Sequence, residues 1–234
     1  YQRYGIRRYG FHGMSHRYVS AEAVRLLGGA AGTKVITCHL GNGASIAAVA
    51  DGKVLDTSMG FTPLEGLVMG TRCGDMDPAI ILYLMAKEEL TQSEANTLMN
   101  KHSGLQGLSG VSSDMRSVIA EMDLGNPRAQ LAFDTYSYRV RKYIGSYTAA
   151  LGGLDALVFT AGVGENAWRV REACCRNLAC LGVTLDAEKN KAFKPVAAGD
   201  IAAAGSAVRI FVIPTNEELV IARDTRDIVF GKES

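Results

Sequence analysis

The sequence lacks a dominant charge sign and lacks any apolar run long enough to span a bilayer. Its 25 Lys and Arg residues nearly balance 24 Asp and Glu residues, which leaves a net charge of +1. This balance gives no sign of the basic surface that nucleic-acid binding requires. No apolar run approaches the roughly 20 residues that cross a membrane. We therefore expect neither a nucleic acid nor a membrane as a partner.

The cysteines lack the spacing of a metal site or a disulfide framework. There are five of them, an odd number. Cys174 and Cys175 are adjacent, and we expect Cys180 to follow within the same helix. No signal-peptide pattern is recognisable. These features predict reduced thiols and a cytoplasmic location.

The sequence also lacks an internal repeat, a low-complexity tract and a linker, and it does not begin with Met. A chain of 234 residues that is 47% hydrophobic is long and apolar enough for a sizeable core. A meander of strands, then helices, then strand–helix units predict one α/β domain. The Arg- and Tyr-rich start, YQRYGIRRYG, leads us to expect a piece of a longer protein.

The central stretch, residues 35–58, predicts three short strands joined by two tight turns. Asp51-Gly52 is a strong hairpin signal, because both central positions of such a turn need positive φ. Gly41-Asn42-Gly43, the other turn, has no bulky side chain, so its backbone N–H groups can approach an anion. It is therefore either a phosphate cradle or an ordinary tight turn.

We predict one helix before this region and two helices after it. Residues 15–27 predict the first helix. Asp77-Pro78 starts a second helix, which runs to about Leu90, and Thr91 with Glu94 forms a capping box for the third. We expect the first helix to present one apolar face, formed by Tyr18, Ala21 or Val24, and Leu26 or Leu27.

Residues 103–110 predict a glycine-rich loop. Ser112 or Ser113 is expected to cap a short helix, and Asn126-Pro127 to start a long helix that ends near Leu151. The long helix carries a stripe of side chains that we expect to face the core: Ala132, Tyr136, Val140, Tyr143 and Tyr147.

Two late strands are each followed by a helix. Residues 157–160 predict a buried strand that enters a glycine-rich loop at 161–166, the arrangement of an anion or nucleotide site. Residues 209–213 predict the last strand, and Thr215 with Glu218 predicts a capping box. Glu217 is then free either to bind Mg²⁺ or only to complement the helix dipole.

Two side chains in glycine-rich segments are candidates for catalysis. His12 lies between Gly10 and Gly13 beside several arginines, although an isolated histidine is often only a structural hydrogen-bonding group. Arg72 lies in a long aperiodic segment, where it either binds an anion or forms a surface pair with Asp75 or Asp77.

Several stretches together resemble the acetate kinase, or acetokinase, family, within the superfamily of acetate and sugar kinases, Hsp70 and actin. The resemblance covers nearly the whole chain in the family's order. Met14 stands where the family often has Thr, and Cys73 where it often has Ser. The stretches that carry it are RRYGFHGMSHRYVS, HLGNGAS, DTSMGFTPLEGLVMGTRCGDMDP, SSDMR, KYIGSYTAAL, FTAGVGENA and IPTNEELVIARDT.

The resemblance assigns roles to individual residues. His12 and Arg72 match residues that contact the transferring phosphoryl group, Glu217 matches the Mg²⁺-associated glutamate, and Phe11 and Pro63 match part of the pocket for the acetate methyl group. Nucleotide contacts are implied for the hairpin His39, Leu40, Gly41, Asn42 and Gly43, for Asp114, Met115 and Arg116, and for Gly162, Val163, Gly164, Glu165 and Asn166.

The resemblance implies a ribonuclease H-like α/β domain with a mixed sheet and flanking helices, in which residues 1–234 form the C-terminal nucleotide-binding lobe of a two-lobe kinase. It implies reversible phosphoryl transfer from ATP to acetate, with ATP or ADP as substrate, Mg²⁺ or Mn²⁺ as cofactor, and a homodimer. In the family the N-terminal lobe supplies a phosphate loop, a second arginine and a catalytic aspartate, and we expect these to lie outside the given sequence. The alternatives are a propionate or other short-chain carboxylate kinase, and an ATP-binding module without turnover.

Overall fold

A computed structural model describes residues 1–29 and 31–231. Within these residues the strands form one six-stranded mixed sheet in the order β3-β2-β1-β4-β6-β5. The first three strands are antiparallel neighbours, and β4 and β6 extend the sheet in parallel. The expected ribonuclease H-like α/β architecture is confirmed. The strands are β1 Lys34–Leu40, β2 Ala44–Ala50, β3 Lys53–Thr57, β4 Ala156–Thr160, β5 Gly199–Asp200 and β6 Arg209–Val212.

Helices pack on both faces of this sheet. No helix in the described part of the chain combines the length and apolarity that a membrane span requires. The helices are α1 Gly13–Leu26, α2 Pro78–Lys87, α3 Gln92–Lys101, α4 Gly104–Ser109, α5 Met115–Asp123, α6 Pro127–Leu151, α7 Ala161–Asn166, α8 Trp168–Cys175, α9 Ala187–Ala192 and α10 Glu217–Phe230.

Local sequence signals predicted several of these elements correctly. The β2–β3 turn has φ values of 50° at Asp51 and 74° at Gly52, as its hairpin chemistry requires. Asp77 caps α2, the Thr91–Glu94 capping box begins α3, and Asn126 caps α6. Each signal depends on residues only a few positions apart, so the fold of distant segments does not alter it.

The main core lies between α6 and one face of the sheet. The predicted stripe is confirmed: Ala132, Tyr136, Val140 and Tyr147 are buried, and Tyr143 is half-buried. These side chains meet apolar residues of β1 that alternate along the strand and so share one face: Ile36, Cys38 and Leu40.

The opposite face of the sheet, which α1 covers, is partly polar. Thr37 and His39 of β1 point to it, together with Ser45, which pairs with His39 across the strands. The predicted apolar face of α1 is confirmed in part: Tyr18, Val24 and Leu27 are partly buried and pack against the core on this side of the sheet, whereas Ala21 and Leu26 are exposed. The fully buried residues of the helix are Ser15, His16, Val19, Ser20 and Ala23, several of them polar because the sheet face they meet is polar.

Two predicted glycine-rich loops are short helices. α4 occupies most of residues 103–110, and α7 occupies 161–166. Each helix has C-terminal carbonyls bound by an arginine from outside the helix. Arg128 donates to the carbonyls of Gly107 and Leu108, and Arg171 donates to those of Gly164 and Glu165. The loop prediction failed because these bonds satisfy helix ends that the local sequence leaves open.

Three smaller predictions were also wrong. The cap of α5 is Asp114, whose side chain accepts from the Arg116 N–H, and not Ser112 or Ser113. The cap of α10 is Asn216, so Thr215 and Glu218 form no capping box. Cys180 lies in a 3-10 turn after α8 has ended, rather than in the helix of Cys174 and Cys175.

Candidate active site

The turn between β1 and β2 lies beneath two nitrogen atoms from distant parts of the chain. A Cβ atom placed on Gly43 would lie 3.0 Å from Arg72 Nη2 and 3.4 Å from His12 Nε2. Both nitrogens therefore face nearly one point above Gly43. A guanidinium and an imidazole that converge in this way form a site for an oxyanion.

Arg72 is aimed by a backbone carbonyl rather than by a carboxylate. Its Nη1 donates to the Pro63 carbonyl over 2.7 Å, and within residues 1–29 and 31–231 it forms no ion pair. The alternative of a surface pair with Asp75 is wrong, because that carboxylate binds Arg139 and Tyr143. Burial lowers the pKa of Arg72, but a guanidinium stays protonated at neutral pH. Its Nη2 therefore keeps a charge available for an anion.

The β1–β2 turn itself offers two backbone donors rather than three. The Gly41 N–H is used within the turn, where it donates to the Gly43 carbonyl over 3.0 Å. Among the described residues, the N–H groups of Asn42 and Gly43 have no protein acceptor. Neither Gly41 nor Gly43 has a left-handed φ, so glycine is required at these positions because a side chain would not fit. A Cβ on Gly41 would lie 3.2 Å from the Gly43 carbonyl.

His12 stands at the start of α1 in a left-handed conformation, with φ of 58°. Its Nδ1 lies 2.8 Å from Ser45 Oγ, and its ring stacks on His39 with centroids 4.0 Å apart. Burial and the nearby charge of Arg72 lower the pKa of His12. The ring is therefore neutral at pH 7 and acts as a hydrogen-bonding group rather than as a cation.

Two further histidines lie behind His12. His16 Nε2 contacts Ser45 Oγ at 2.7 Å, and His39 Nδ1 contacts Ser15 Oγ at 2.8 Å. Burial is the main cause that lowers the pKa of His16 and of His39 to about 3. Our sequence analysis missed His16 as a site residue, although histidines four positions apart on a helix share one face.

A cleft of about 1050 Å³ begins at the turn and extends away from it. Its volume is that of a site for a ligand of nucleotide size. Eight residues proposed from the resemblance line it: Gly41, Asn42, Asp114, Met115, Arg116, Gly162, Val163 and Asn166. The sequence analysis missed its other lining residues: Leu105, Ser113, Ile119, Asp123, Ala167, Trp168 and Arg169.

Other predicted contact residues lie behind the cleft surface. Leu40 is fully buried in the main core, and Gly164 is buried within α7. The carboxylate of Glu165 accepts hydrogen bonds from the N–H groups of Ala161 and Thr215, at 2.8 and 3.2 Å. Glu165 therefore ties the start of α7 to the segment before α10, and any ligand contact from the Leu40 side chain is ruled out by its burial.

Arg171 is a supporting residue that the sequence analysis missed. It is only 1% exposed, and its guanidinium is bound by Asn190 and by the two α7 carbonyls. Burial lowers its pKa to about 10. Its charge complements the negative end of α7 and fixes that helix against the cleft. No local spacing marks Arg171, because Asn190 lies 19 residues away.

The remaining candidates are Phe11, which precedes His12 in sequence, and Glu217 at the start of α10. Phe11 packs against the main core immediately before His12. Glu217 is half-buried at the first position of α10, and Asn216 makes the cap bond, so its carboxylate is not used there. In the described part of the chain no group of three or more His, Cys, Asp or Glu residues could hold a metal. A single carboxylate suits Mg²⁺ when phosphates and water complete the coordination.

Comparison with known proteins places these features in one family. Residues 1–223 match the acetokinase family. An acetate kinase from Syntrophomonas wolfei is 60% identical over 96% of this chain, and one from Treponema denticola is 57% identical over 98%. The crystal structure of Porphyromonas gingivalis acetate kinase superposes with a TM-score of 0.93 at 50% identity, over 96% of this chain and 56% of that one.

A propionate kinase from Francisella tularensis is also similar. Its crystal structure has a TM-score of 0.87 and 46% identity, over 94% of this chain and 55% of its own. The chain covers 56% and 57% of the two curated relatives described above. It therefore spans about half the length of the relatives it matches.

Proposed function

The chain belongs to the acetokinase family, and we propose that, as part of a full-length enzyme, it transfers the γ-phosphoryl group of ATP reversibly to acetate. A carboxylate oxygen of acetate forms a bond to the γ-phosphorus while the bond to the β,γ-bridging oxygen breaks, which gives acetyl phosphate and ADP. The observation that carries this proposal is the convergence of Arg72 Nη2 and His12 Nε2 above Gly43, at one end of a nucleotide-sized cleft.

Each residue at this point has a role that its geometry supports. Arg72 neutralises charge on the equatorial oxygens of the transferring group, and His12 donates a hydrogen bond to it. The uncommitted N–H groups of Asn42 and Gly43 bind phosphate oxygens. Phosphoryl transfer needs mainly positioning and charge neutralisation, which these groups supply without acting as a nucleophile.

The long arm of the cleft is proposed to bind the nucleoside. Asp114, Met115 and Arg116 at the start of α5 line it, together with Gly162, Val163 and Asn166 of α7. Pro63 and Phe11 are proposed to border the methyl group of acetate, since both adjoin the proposed catalytic residues.

Glu217 is proposed to hold Mg²⁺ together with nucleotide phosphates, where the ion neutralises phosphate charge; Mn²⁺ is an alternative. Glu218, the next residue, is exposed and is not part of a capping box, so it provides a matched control. We expect Glu217→Gln to raise the Mg²⁺ concentration needed for half-maximal activity, and Glu218→Gln to leave it unchanged. The reverse order would contradict the assignment.

Residues 1–234 are proposed to form the C-terminal nucleotide-binding lobe of a two-lobe kinase. The other lobe would supply further phosphate and substrate contacts and would close over the cleft to exclude water. We expect the 234-residue chain to bind Mg-ADP in calorimetry and to form little acetyl phosphate in a hydroxamate-trapping assay. Turnover equal to that of a full-length enzyme would contradict the two-lobe proposal.

The substrate is tested in the full-length enzyme with acetate, propionate and butyrate in the same assay. A propionate kinase is the second candidate, because the Francisella tularensis enzyme is 46% identical. One methylene changes discrimination by only about 1–3 kcal/mol. The highest kcat/KM with acetate supports the proposal, and the highest with propionate replaces it.

We further propose a cytoplasmic homodimer. The apolar helix α2 has no buried residue, and its Ile80, Leu82 and Tyr83 are 47%, 67% and 65% exposed. Contiguous exposed apolar surface of this kind is typical of protein interfaces.

A further inference from the structure

A row of buried polar side chains leads from the sheet to His12. Thr37 Oγ1 lies 2.7 Å from His16 Nδ1, His16 Nε2 lies 2.7 Å from Ser45 Oγ, and Ser45 Oγ lies 2.8 Å from His12 Nδ1. Thr37 and Ser45 are fully buried, and His16 is 6% exposed. Water therefore cannot readily replace any of these partners, and each hydrogen atom must be accounted for within the row.

The number of protons in the row restricts how they are arranged. Both histidines are neutral near pH 7, because burial lowers their pKa values. A neutral imidazole carries one N–H, and each hydroxyl donates once. Within residues 1–29 and 31–231, Thr37 Oγ1 has no partner other than His16 Nδ1. If His16 donated to Thr37, the Thr37 hydroxyl would therefore have no acceptor.

Only one arrangement gives both buried hydroxyl groups of the row an acceptor. Thr37 O–H donates to His16 Nδ1, His16 Nε2–H donates to Ser45 Oγ, and Ser45 O–H donates to His12 Nδ1. The single proton of His12 must then be on Nε2, the nitrogen that faces the space above Gly43. Any other arrangement leaves a buried hydroxyl without an acceptor, which is costly because water cannot reach it.

The geometry points to a one-way hydrogen-bond relay in which Thr37, His16 and Ser45 hold His12 as its Nε2–H tautomer. The three are positioning residues, and only His12 reaches the anion. This inference rests on the proposed function only where it identifies that anion as the transferring phosphoryl group. The opposite tautomer would place the lone pair of Nε2 against an anionic oxygen, which is repulsive.

A second row of hydrogen-bonded hydroxyl groups leads to His39 and fixes its tautomer in the same way. Thr215 Oγ1 lies 2.9 Å from Ser15 Oγ, which lies 2.8 Å from His39 Nδ1. Thr215 has no other side-chain bond among the described residues, so it must donate to Ser15, and Ser15 to His39. The two stacked imidazoles thus both keep Nδ1 as an acceptor from a serine hydroxyl.

The relay is tested by the tautomers of the four histidines in the ¹⁵N-histidine-labelled 234-residue chain. Long-range ¹H–¹⁵N correlation spectra distinguish Nδ1–H from Nε2–H. We expect His12 and His16 both as Nε2–H tautomers at pH 7.5. A wild-type spectrum with either ring protonated at Nδ1 would overturn the relay without the need for any variant.

Two variants test which residue sets the tautomer. In Ser45→Ala, His12 loses its donor, so we expect its two ¹⁵N shifts to converge as both tautomers become populated. Thr37→Ser keeps the hydroxyl and is expected to keep the wild-type tautomer at His12. If Ser45→Ala leaves the His12 shifts as in the wild type, the relay is overturned.

Kinetics in the full-length enzyme connect the relay to phosphoryl transfer. We expect Ser45→Ala to lower kcat about tenfold, equivalent to about 1.4 kcal/mol, because His12 loses the donor that fixes its tautomer, with KM for ATP changed less than twofold. A rise in KM alone would overturn the positioning role. If the wild-type enzyme makes no acetyl phosphate, the proposed function fails, and the tautomer spectra still decide the relay.

Discussion

The two ends of the cleft are held by different kinds of interaction. Above Gly43, His12 and His39 are fixed by hydrogen bonds to buried or half-buried hydroxyl groups, and Arg72 by a backbone carbonyl. At the far end, Arg116 pairs with Asp114 while 91% of its side chain is exposed, and Arg169 pairs with Asp123 at the surface. The first end is arranged before a ligand arrives, whereas the second can rearrange around one.

The two kinds of interaction differ in the free energy that is lost when one of them is removed. A buried hydrogen bond leaves an unsatisfied partner when it is removed, whereas a surface ion pair is replaced by water. Substitutions above Gly43 are therefore expected to have large effects, and substitutions at the far end small ones. The following predictions test this contrast, beginning with the largest effect.

Arg72→Ala is expected to lower kcat of the full-length enzyme on the order of 10³-fold, as for other arginines that stabilise phosphoryl-transfer transition states. KM for ATP should change far less, because the contact is made mainly in the transition state. Steady-state kinetics with ATP and acetate provide the measurement. The variant Arg72→Lys keeps the charge but not the planar guanidinium, so its kcat should lie between those of the wild type and Arg72→Ala. An unchanged kcat in Arg72→Ala would remove Arg72 from the mechanism.

His16 is expected to make the folded chain sensitive to acid. Its folded pKa of about 3 lies below the unfolded value of about 6.5, so its contribution is complete above pH 6.5 and is lost as the pH falls towards 3. At pH 5 the loss is about 2 kcal/mol. Urea unfolding at pH 7.5 and pH 5 measures how far the free energy of unfolding falls between the two pH values. We expect a smaller fall in His16→Gln than in the wild type.

A control for this effect is His102→Gln, which removes an exposed histidine outside the cleft and should show the wild-type decrease. His39 contributes in the same direction and remains in both variants. An equal decrease in His16→Gln and in the wild type would mean that His16 is not held neutral by burial.

Gly43→Ala and Gly162→Ala compare a crowded and an uncrowded glycine of the site with the same added methyl group. At Gly43 the new Cβ would lie 3.0 Å from the Arg72 guanidinium, whereas nothing lies within 4 Å at Gly162. We expect Mg-ADP to bind the Gly43→Ala chain about tenfold more weakly, a difference of about 1.4 kcal/mol, and the Gly162→Ala chain within about twofold of the wild type. Calorimetry on both chains measures this. Equal losses of affinity in the two variants would contradict the close packing inferred above Gly43.

Arg169→Gln is expected to have the smallest effect. Its pair with Asp123 is partly exposed, so the free energy of unfolding should change by less than about 1 kcal/mol. Arg171→Gln, two positions along the same helix, is the positive control, because it removes buried bonds to α7. Urea unfolding of both variants measures the two losses of unfolding free energy. A larger loss in Arg169→Gln than in Arg171→Gln would contradict this prediction.

Part of the site could be identified from sequence alone because the resemblance marked it. His12 and Arg72 were identified separately, and the structure brings their nitrogens to one point above Gly43. Trp168 and Arg169 were not identified, although they follow the predicted glycine-rich segment directly and line the same cleft. Their roles, like those of the other proposed contact residues, remain predictions for the experiments above.

The sequence by itself determined the elements whose signals lie within a few residues. The Asp51-Gly52 turn, the Asn126 cap and the stripe of α6 each follow from φ preferences or from helical periodicity, which act locally. For the same reason the strands of the meander were predicted almost to their ends. No distant partner was needed to stabilise these choices.

Only the tertiary structure decided the features that depend on a partner far along the chain. The last carbonyls of α4 accept hydrogen bonds from Arg128, 20 and 21 residues away, and Thr215 is no cap because its hydroxyl binds Ser15, 200 residues away. The tautomer inferred for His12 likewise depends on Thr37, two hydrogen-bonded side chains removed. A buried donor must find an acceptor wherever the fold supplies one, and that choice cannot be made from neighbouring residues.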